Sequence, residues 1–183
     1  MPQWVIQRLD RTCNRSLFDC GVPQLNRWLQ QSSSQYDKRD LARTYVALRA
    51  EEKAVLGFYS LSNHGLRFEV LTAELSQGLP RVDIPAVLLG QLAVDKSVQG
   101  RGLGNIMLID AFRRVLSIAN AAGVRGVVVD AIDDNAAKFY EQFGFTALQD
   151  QPRRLLLPMQ AIRKLELEPY SRRHLRKMAS RKR

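Results

Sequence analysis

The chain has 183 residues, 45% of them apolar and 25% charged, and its 28 Lys and Arg against 18 Asp and Glu give a formal net charge of +10. This composition is typical of one globular domain, and no apolar run approaches the roughly 20 residues that cross a bilayer. The N-terminus lacks the layout of a signal peptide, and Cys13 and Cys20 make no disulfide framework, so a cytoplasmic protein without membrane contact is expected.

The first half of the chain predicts one helix followed by a β-hairpin. Leu25, Trp28 and Leu29 have the i, i+3, i+4 spacing of an amphipathic helix, and the polar run after them is expected to end it. Two β-rich runs separated by a polar turn predict the hairpin. In chain order, we expect a turn at 18–23, the helix, a loop at 30–40, strands at 44–48 and 55–62, and an irregular stretch at 72–85.

The second half alternates strands with helices. Gly123 is expected to end the first helix and Gly144 the second, because glycine is favoured just after a helix C-terminus. In chain order, we expect a strand at 87–94, a helix at 103–121, a strand at 126–131, a helix at 135–143, a strand at 153–157 and a short helix within 160–168. The two halves together predict an α/β (α+β) fold, with a mixed, mostly antiparallel sheet flanked by helices.

Most of the positive charge lies at the C-terminal end. Residues 169–183, the basic tail, contain seven Lys or Arg and no acidic residue, which leaves +3 for residues 1–168. Such runs are usually solvated, and they bind nucleic-acid phosphates by counterion release without reading base sequence. The tail therefore predicts either a solvated extension or a contact with nucleic acid or an acidic partner.

The most informative segment lies between the strand at 87–94 and the helix at 103–121. This glycine loop consists of Gln99, Gly100, Arg101, Gly102, Leu103 and Gly104. Glycines allow a sharp turn, and the N–H groups and positive dipole end of the next helix suit a phosphate or pyrophosphate. No P-loop string occurs, and Asn105 stands where a dinucleotide fingerprint needs its third glycine. A turn without a ligand is the alternative interpretation.

Two motifs in order indicate a family. The run 94–104 resembles the pyrophosphate loop of the GNAT superfamily, the acetyl-CoA-dependent N-acetyltransferases, with Gln99, Gly102 and Gly104 at its pattern positions. The run 135–145 is similar to that family's second signature, an Asn followed by Phe-Tyr and then Gly-Phe. The resemblance implies a GNAT-like domain with the glycine loop between a central strand and a long helix.

Further segments narrow the resemblance. Residues 18–29, 57–61 and 85–95 resemble the GNAT toxins of bacterial type II toxin–antitoxin systems. Those toxins acetylate the free amino group of an aminoacyl-tRNA and so block translation, and a ribbon-helix-helix antitoxin neutralises them. The resemblance covers roughly residues 15–158 and implies an acetyltransferase domain over 1–160 and a homodimer. The short helix and basic tail expected over 161–183 lie beyond it.

The resemblance also implies roles for particular residues. Backbone N–H groups of the glycine loop would hold the pyrophosphate, with Arg101 as a charged contact, and the strand residues Leu92, Ala93 and Val94 would pair by backbone with the pantetheine arm. Asn135 would contact the cofactor, and the hydroxyl of Tyr140 would protonate the coenzyme A thiolate. Asn135 is equally a candidate helix N-cap, and Tyr140 a core aromatic.

The sequence indicates neither a general base nor a metal site. Nothing in the sequence ranks the candidate bases Asp95, Asp130, Glu141 and His64. The two histidines and two cysteines form no cluster of ligand residues that would suggest a metal. An α-amino group with a pKa near 7.7–8.0 is about 10–15% neutral at pH 7, whereas a lysine amine is below about 0.1% neutral. A missing base therefore fits an aminoacyl ester better than a lysine.

Basic residues outside the glycine loop mark a possible tRNA surface. The candidates are Lys38, Arg39, Arg43, Arg81, Arg153 and Arg154, with Arg172 and Arg173 in the basic tail. Three hypotheses remain at this point: an acetyltransferase acting on charged tRNA, a GNAT enzyme acting on protein amines or a small amine, and a non-enzymatic RNA-binding scaffold.

Overall fold

The computed structural model describes residues 4–168 of the chain. In this range seven strands form one sheet in the order β1-β2-β3-β4-β5-β7-β6. The strands are β1 (Val5–Arg8), β2 (Arg43–Leu48), β3 (Gly57–Leu66), β4 (Ile84–Val94), β5 (Gly126–Asp130), β6 (Thr146–Leu148) and β7 (Gln151–Pro158). β4 and β5 are parallel, whereas β1–β2, β2–β3, β5–β7 and β6–β7 are antiparallel. The predicted mixed, mostly antiparallel sheet is confirmed.

The described residues form six α-helices, of which those in the second half of the chain closely match the prediction. They are α1 (Pro23–Arg27), α2 (Ser33–Lys38), α3 (Ala73–Ser76), α4 (Leu103–Ala119), α5 (Asp134–Glu141) and α6 (Met159–Arg163). Gly144 has φ +89°, as expected for the glycine that ends α5. The role given to Gly123 was wrong: α4 ends at Ala119, and Gly123 is not among the glycines with positive φ.

The described residues pack as two units, each with its own core. The first unit contains residues 4–62 and 90–111, and the second contains 63–89 and 112–168. Strands β3 and β4 contribute residues to both units. The glycine loop belongs to the first unit, and the segment with Asn135 and Tyr140 belongs to the second.

Aromatic stacking organises the core of the first unit. Phe58, on β3, is fully buried, with the ring of Trp28 stacked 5.8 Å away and the ring of Phe18 edge-on at 5.3 Å. Leu29, Val46 and, from β4, Ala93 belong to the same buried cluster. These contacts explain the apolar spacing of the first helix, since Trp28 and Leu29 are the residues that face the sheet.

The predicted loop at 30–40 was wrong, because the helix continues to Lys38. A π-helical turn, Trp28–Ser32, joins α1 to α2, and the N–H of Ser33 donates to the carbonyl of Trp28 instead of the carbonyl of Leu29. The Ser33 hydroxyl, fully buried, donates to that carbonyl of Leu29 at 2.6 Å and accepts from Arg15 at 2.7 Å. A buried serine therefore lets a polar sequence remain helical.

The hairpin is confirmed, and two short strands went unpredicted. β2 and β3 pair antiparallel from Arg43 opposite Leu61 to Ala47 opposite Gly57. β1 lies at one edge of the sheet and β6 at the other, and at four and three residues they are too short to show a clear period. In the second unit, Ile84, Val128 and Leu156 from three strands share a core with Leu66.

Candidate active site

The glycine loop joins the end of β4 to the start of α4. A 3₁₀ turn, Lys96–Val98, follows β4, and the loop then reverses through Gly100 at φ +74° and Gly102 at φ +79°. Residues with a side chain rarely adopt these backbone angles, whereas glycine adopts them readily. A Cβ on either glycine would meet no atom within 4 Å, so the backbone angle alone requires glycine here.

The loop presents the start of a long helix to its surroundings. The first N–H groups of α4 lack intrahelical acceptors, and the dipole of its 17 residues places partial positive charge at that end. Arg101 is exposed beside these groups. This donor set fits an anion such as a pyrophosphate, as the sequence predicts.

The side chain of Gln99 holds the loop in place. Its amide nitrogen donates to the carbonyl of Val94 at 2.9 Å and to the carbonyl of Cys20 at 3.0 Å. The first loop residue is thereby tied to the end of β4 and to a segment 79 residues away. A role of Gln99 in holding acetyl-CoA therefore falls to its backbone, because its side-chain amide is used within the protein.

The last part of β4 continues beyond its ladder with β5. The parallel pairing runs from Ala86 opposite Gly126 to Leu89 opposite Val129. In the residues that follow, Ala93 is buried, whereas Leu92 and Val94 are partly buried. A pantetheine arm pairing with this stretch by backbone, as the resemblance implies, would need no particular side chain there.

Helix α5 carries the predicted residues of the second unit. Asp133, and not Asn135, is its N-cap, because its carboxylate accepts from the N–H of Ala136 at 2.8 Å. The N-cap alternative for Asn135 was therefore wrong, and its side chain is exposed in the first turn.

Tyr140 lies in an aromatic cluster near the end of α5. It is 6% exposed, and its ring lies 5.2 Å from that of Phe139 and 5.4 Å from that of Phe145. Burial raises the pKa of the Tyr140 phenol, because a phenolate would lose its hydration there. Tyr140 is therefore a core aromatic, and its hydroxyl also keeps its proton at neutral pH, as a proton donor must.

The structure shows the surroundings of two of the four candidate bases, Asp95 and His64. Asp95 accepts from the N–H and hydroxyl of Ser97 and from the N–H of Asp19, all within 2.9 Å. Burial acts to raise the pKa of Asp95, but these hydrogen bonds outweigh it and the pKa is lowered. Burial, and then Arg154, lower the pKa of His64, so its imidazole is neutral at pH 7.

A family model decides the classification of the chain. The model described as the acetyltransferase (GNAT) domain matches residues 40–147, which include the glycine loop and Tyr140. This chain is a GNAT acetyltransferase. Enzymes of this family use acetyl-CoA, so the loop geometry and the predicted cosubstrate agree.

Two curated relatives of this GNAT chain are toxins by name. The "probable toxin TacT" of Sinorhizobium fredii is 28% identical over 170 residues, covering 88% of this chain and 94% of the relative. The "tRNA-acetylating toxin" of Mycobacterium tuberculosis is 32% identical over 148 residues, covering 81% and 87% respectively.

Solved structures share the GNAT fold of this chain. The toxin AtaT in complex with acetyl-methionyl-tRNAfMet has a TM-score of 0.83 at 30% identity and covers 90% of this chain and 99% of its own. A Tyr-to-Phe variant of AtaT bound to the C-terminus of the antitoxin AtaR and acetyl-CoA has a TM-score of 0.75 at 28% identity, covering 88% and 97%.

The basic residues proposed for the substrate side of this GNAT chain differ in their surroundings. Lys38 ends α2 and Arg39 follows it, and both are exposed. Arg43 instead is ion-paired with Asp37 and Asp40. The guanidinium of Arg81 lies 5.5 Å over the ring of Phe68, while Arg172 and Arg173 lie outside the described residues.

Arg153 and Arg154, on β7, belong to a polar cluster in the second unit. Arg153 pairs with Asp134 at 3.0 Å, and Arg154 lies 3.5 Å from Asp130. Arg154 also donates to Nε2 of His64 at 2.5 Å, which places the imidazole proton on Nδ1. These five side chains are partnered, and four of them line an open cavity of about 560 Å³. Nothing in the sequence spacing predicts this cluster, because His64 and Arg154 are 90 residues apart.

Residues 4–168 contain neither a candidate membrane span nor a candidate metal site. No helix in this range is both long and apolar enough to cross a membrane. In the same range, no group of three or more His, Cys, Asp or Glu is arranged to hold a metal ion.

Proposed function

We propose that this GNAT enzyme is the toxin of a type II toxin–antitoxin system. It transfers the acetyl group of acetyl-CoA to the α-amino group of an aminoacyl-tRNA, and so blocks translation. The observation that carries the proposal is the glycine loop at the start of α4, in a chain that resembles a tRNA-acetylating toxin over 81% of its length. A related toxin in complex with acetyl-methionyl-tRNA supports the same acceptor class.

Acetyl-CoA supplies the acetyl group as an activated thioester. In our proposal, the N–H groups of the glycine loop and of the first turn of α4 hold the pyrophosphate, with Arg101 adding a charge-assisted contact. The backbone of Leu92, Ala93 and Val94 pairs with the pantetheine arm and offers an N–H to the carbonyl oxygen that gains charge. Asn135 contributes a further polar contact to the cosubstrate.

The amine attacks directly in a ternary complex, without an acyl-enzyme. The amine nitrogen forms a bond to the acetyl carbon, the carbon–sulfur bond breaks, and its electron pair stays on sulfur. Tyr140 gives its phenolic proton to that sulfur and regains one from solvent, while the amine nitrogen releases its own proton to solvent. The raised pKa of Tyr140 supports this assignment to the extent that the phenol holds its proton at every pH at which the enzyme would act.

No dedicated base is needed for this acceptor. The α-amino group of an aminoacyl ester is no more basic than a free α-amino group, so about a tenth or more of it is neutral near pH 7. Asp95 is committed to hydrogen bonds with Ser97 and Asp19, and Nε2 of His64 accepts from Arg154. These partners disfavour both residues as proton acceptors.

The decisive experiment offers labelled acetyl-CoA to the purified enzyme with charged tRNA, deacylated tRNA, peptides and small amines in parallel. We expect label on charged tRNA alone, released as an N-acetyl amino acid when the ester is hydrolysed. Label on peptides or small amines only would favour the second hypothesis, a GNAT enzyme with a different acceptor. No label anywhere, with tRNA still bound, would favour a non-enzymatic scaffold.

A ribbon-helix-helix antitoxin and a homodimeric assembly complete the proposal. The structure of a related toxin with the C-terminus of its antitoxin supports the existence of such a partner. A tRNA acceptor would place the activity in the cytoplasm. A neighbouring short reading frame of this class, whose product suppresses growth arrest and co-purifies with the chain, tests the partner, and the mass in solution tests the dimer.

A further inference from the structure

A network of polar contacts fastens the glycine loop to the N-terminal part of the first unit. Its members, the clasp, are Asp19, Asn26, Asp95, Lys96 and Gln99. Asp19 lies on the turn before α1 and Asn26 lies in α1. Asp95, Lys96 and Gln99 follow β4 and lead into the glycine loop, and Asp95 is 76 residues from Asp19 in sequence. The sequence motif around Asp19 showed a family resemblance but no role for this residue.

The carboxylate of Asp19 is the centre of the clasp. One oxygen accepts from the N–H of Gly21 at 2.9 Å and from the Asn26 amide at 2.8 Å, and the other accepts from Nζ of Lys96 at 2.9 Å. The hydrogen bond from Lys96 and those from Gly21 and Asn26 lower the pKa of Asp19 to about 2. Asp19 is therefore ionised at any working pH.

The backbone of Asp19 extends the same connection. Its N–H donates to the carboxylate of Asp95 at 2.9 Å, and its carbonyl accepts from the N–H of Lys96 at 2.9 Å. Asp95 is the N-cap of the 3₁₀ turn that leads into the loop. Since Gln99 also donates to the carbonyl of Cys20, the segment beside Asp19 is fixed to both ends of that turn.

The side chain of Lys96 also makes a close contact with the backbone beside Asp19. Gly21 has φ +88°, and a Cβ there would lie 3.0 Å from Cε of Lys96. The stem of Lys96 therefore lies against the backbone of Gly21, while its ammonium group is bound to Asp19. A lysine next to a pyrophosphate loop suggests a direct phosphate contact, but these contacts direct it to a carboxylate.

We propose that Asp19 is a positioning residue for acetyl-CoA: acting through Lys96, Asp95 and Gln99, it fixes the glycine loop so that its N–H groups meet the pyrophosphate together. This inference rests on the role proposed above for the loop. A loop that must be ordered by its ligand binds more weakly, because part of the binding free energy is used in ordering it. Loss of Asp19 then weakens binding without touching the reacting atoms.

Two variants distinguish positioning from a direct contact by the sign of their effects. If the clasp positions the loop, Asp19→Ala and Lys96→Ala both weaken acetyl-CoA binding. If Lys96 instead serves the pyrophosphate directly, Asp19→Ala releases its ammonium group and tightens binding, while Lys96→Ala alone weakens it. The two variants also change the net charge in opposite directions, so a simple charge effect cannot weaken both.

The experiment measures acetyl-CoA affinity by calorimetry and acetyl transfer by steady-state kinetics. For Asp19→Ala we expect a Kd and a KM for acetyl-CoA about tenfold higher, with kcat at saturating acetyl-CoA within about twofold of the wild type. The control is Asp37→Ala, in the same unit. It likewise removes an ion-paired carboxylate, here one that pairs with Arg8 and Arg43, and it should bind acetyl-CoA normally.

A conservative variant and a double variant keep the test decisive. Asp19→Asn retains size and one acceptor oxygen, so it should fold even where Asp19→Ala does not, and it should weaken binding by a smaller factor. The double variant Asp19→Ala/Gln99→Ala should have a Kd for acetyl-CoA within about twofold of the higher of the two single-variant values, because both residues act through one loop. Unchanged or tighter binding by folded Asp19 variants would overturn the inference. Absence of transfer to charged tRNA by the wild type, with acetyl-CoA bound normally, would overturn only the proposed acceptor.

Discussion

The hydroxyl of Tyr140 is one oxygen atom on a ring that packs as a core residue. Tyr140→Phe keeps the contacts with Phe139 and Phe145 and removes only the proposed proton donor. We expect kcat for charged tRNA to fall by about 10²–10⁴, the usual contribution of a general acid, with the Kd for acetyl-CoA unchanged within about twofold. Rapid-quench or steady-state assays with acetyl-CoA and charged tRNA measure this.

The control for Tyr140→Phe is Tyr36→Phe, which removes a phenol that is 42% exposed and should leave kcat unchanged. In cells, induction of the wild type and of Tyr36→Phe should stop growth, and induction of Tyr140→Phe should not. Equal growth arrest by all three would contradict an enzymatic toxin and favour a scaffold.

The pH dependence of the reaction follows from the same residue. Because burial raises the pKa of Tyr140 above its ordinary value of 10, the phenol stays protonated from pH 6 to 9. The only titration in this range should be that of the acceptor amine. We expect kcat/KM for charged tRNA to rise with pH, with its midpoint at about pH 8 or below, and not to fall by pH 9. A descending limb with an apparent pKa below 9 would show that another group donates the proton.

At the scale of single residues, the sequence predicts identities better than contacts. Tyr140 and Gln99 stand at motif positions, so a pattern finds them. The contact between Gln99 and the carbonyl of Cys20 joins residues 79 apart, and only the folded chain brings them together. The N-cap of α5 was misplaced for a local reason, since Asp133, Asp134 and Asn135 are three consecutive residues that all favour capping.

The glycine loop can be tested as an element by comparing two glycines in the same backbone state. Gly102 and Gly78 have φ +79° and +73°, and a Cβ on either meets nothing within 4 Å. Substitution by Ala should therefore cost each about 1–2 kcal/mol of stability from backbone strain alone. Gly102→Ala should also weaken acetyl-CoA binding about tenfold, because the loop N–H groups turn away, whereas Gly78→Ala should not.

Thermal unfolding and acetyl-CoA titration of both alanine variants check this prediction. The two decreases in stability should be similar, which removes general destabilisation as the cause of any difference in binding. Equal acetyl-CoA affinity for Gly102→Ala and Gly78→Ala would show that the loop geometry does not serve the cosubstrate.

Elements were predictable where a local rule fixed them. The glycine loop follows from glycines between an apolar strand and an amphipathic helix, and the strand predicted at 126–131 follows from the apolar run at 126–129. The helix through Ser33 was not predictable from its polar sequence, because the partner that its buried hydroxyl finds in Arg15 lies 18 residues away.

At the scale of the whole molecule, alternating strands and helices indicate the fold class but not the order of the strands. β7 forms a local hairpin with β6 but also pairs with β5, and this second pairing, from Gly126 opposite Pro158, joins segments that no local period connects. The charge distribution, in contrast, can be read directly, since seven positive charges lie beyond residue 168 and +3 before it. The two parts of the chain can therefore be tested separately.

Deletion of residues 169–183 should separate the binding of acetyl-CoA from that of tRNA, the proposed acceptor. Acetyl-CoA affinity should be unchanged, because the glycine loop and the first turn of α4 lie outside the deleted residues and keep their donors. Affinity for tRNA should fall, and the slope of log K against log salt should flatten by about 0.7–0.9 for each phosphate that the tail no longer neutralises. Titration of charged tRNA at several salt concentrations measures both. A full-length variant with the seven Lys and Arg changed to Gln should behave like the deletion if charge is the cause. Unchanged tRNA affinity in both variants would assign the basic tail to another partner, such as an acidic surface of the antitoxin.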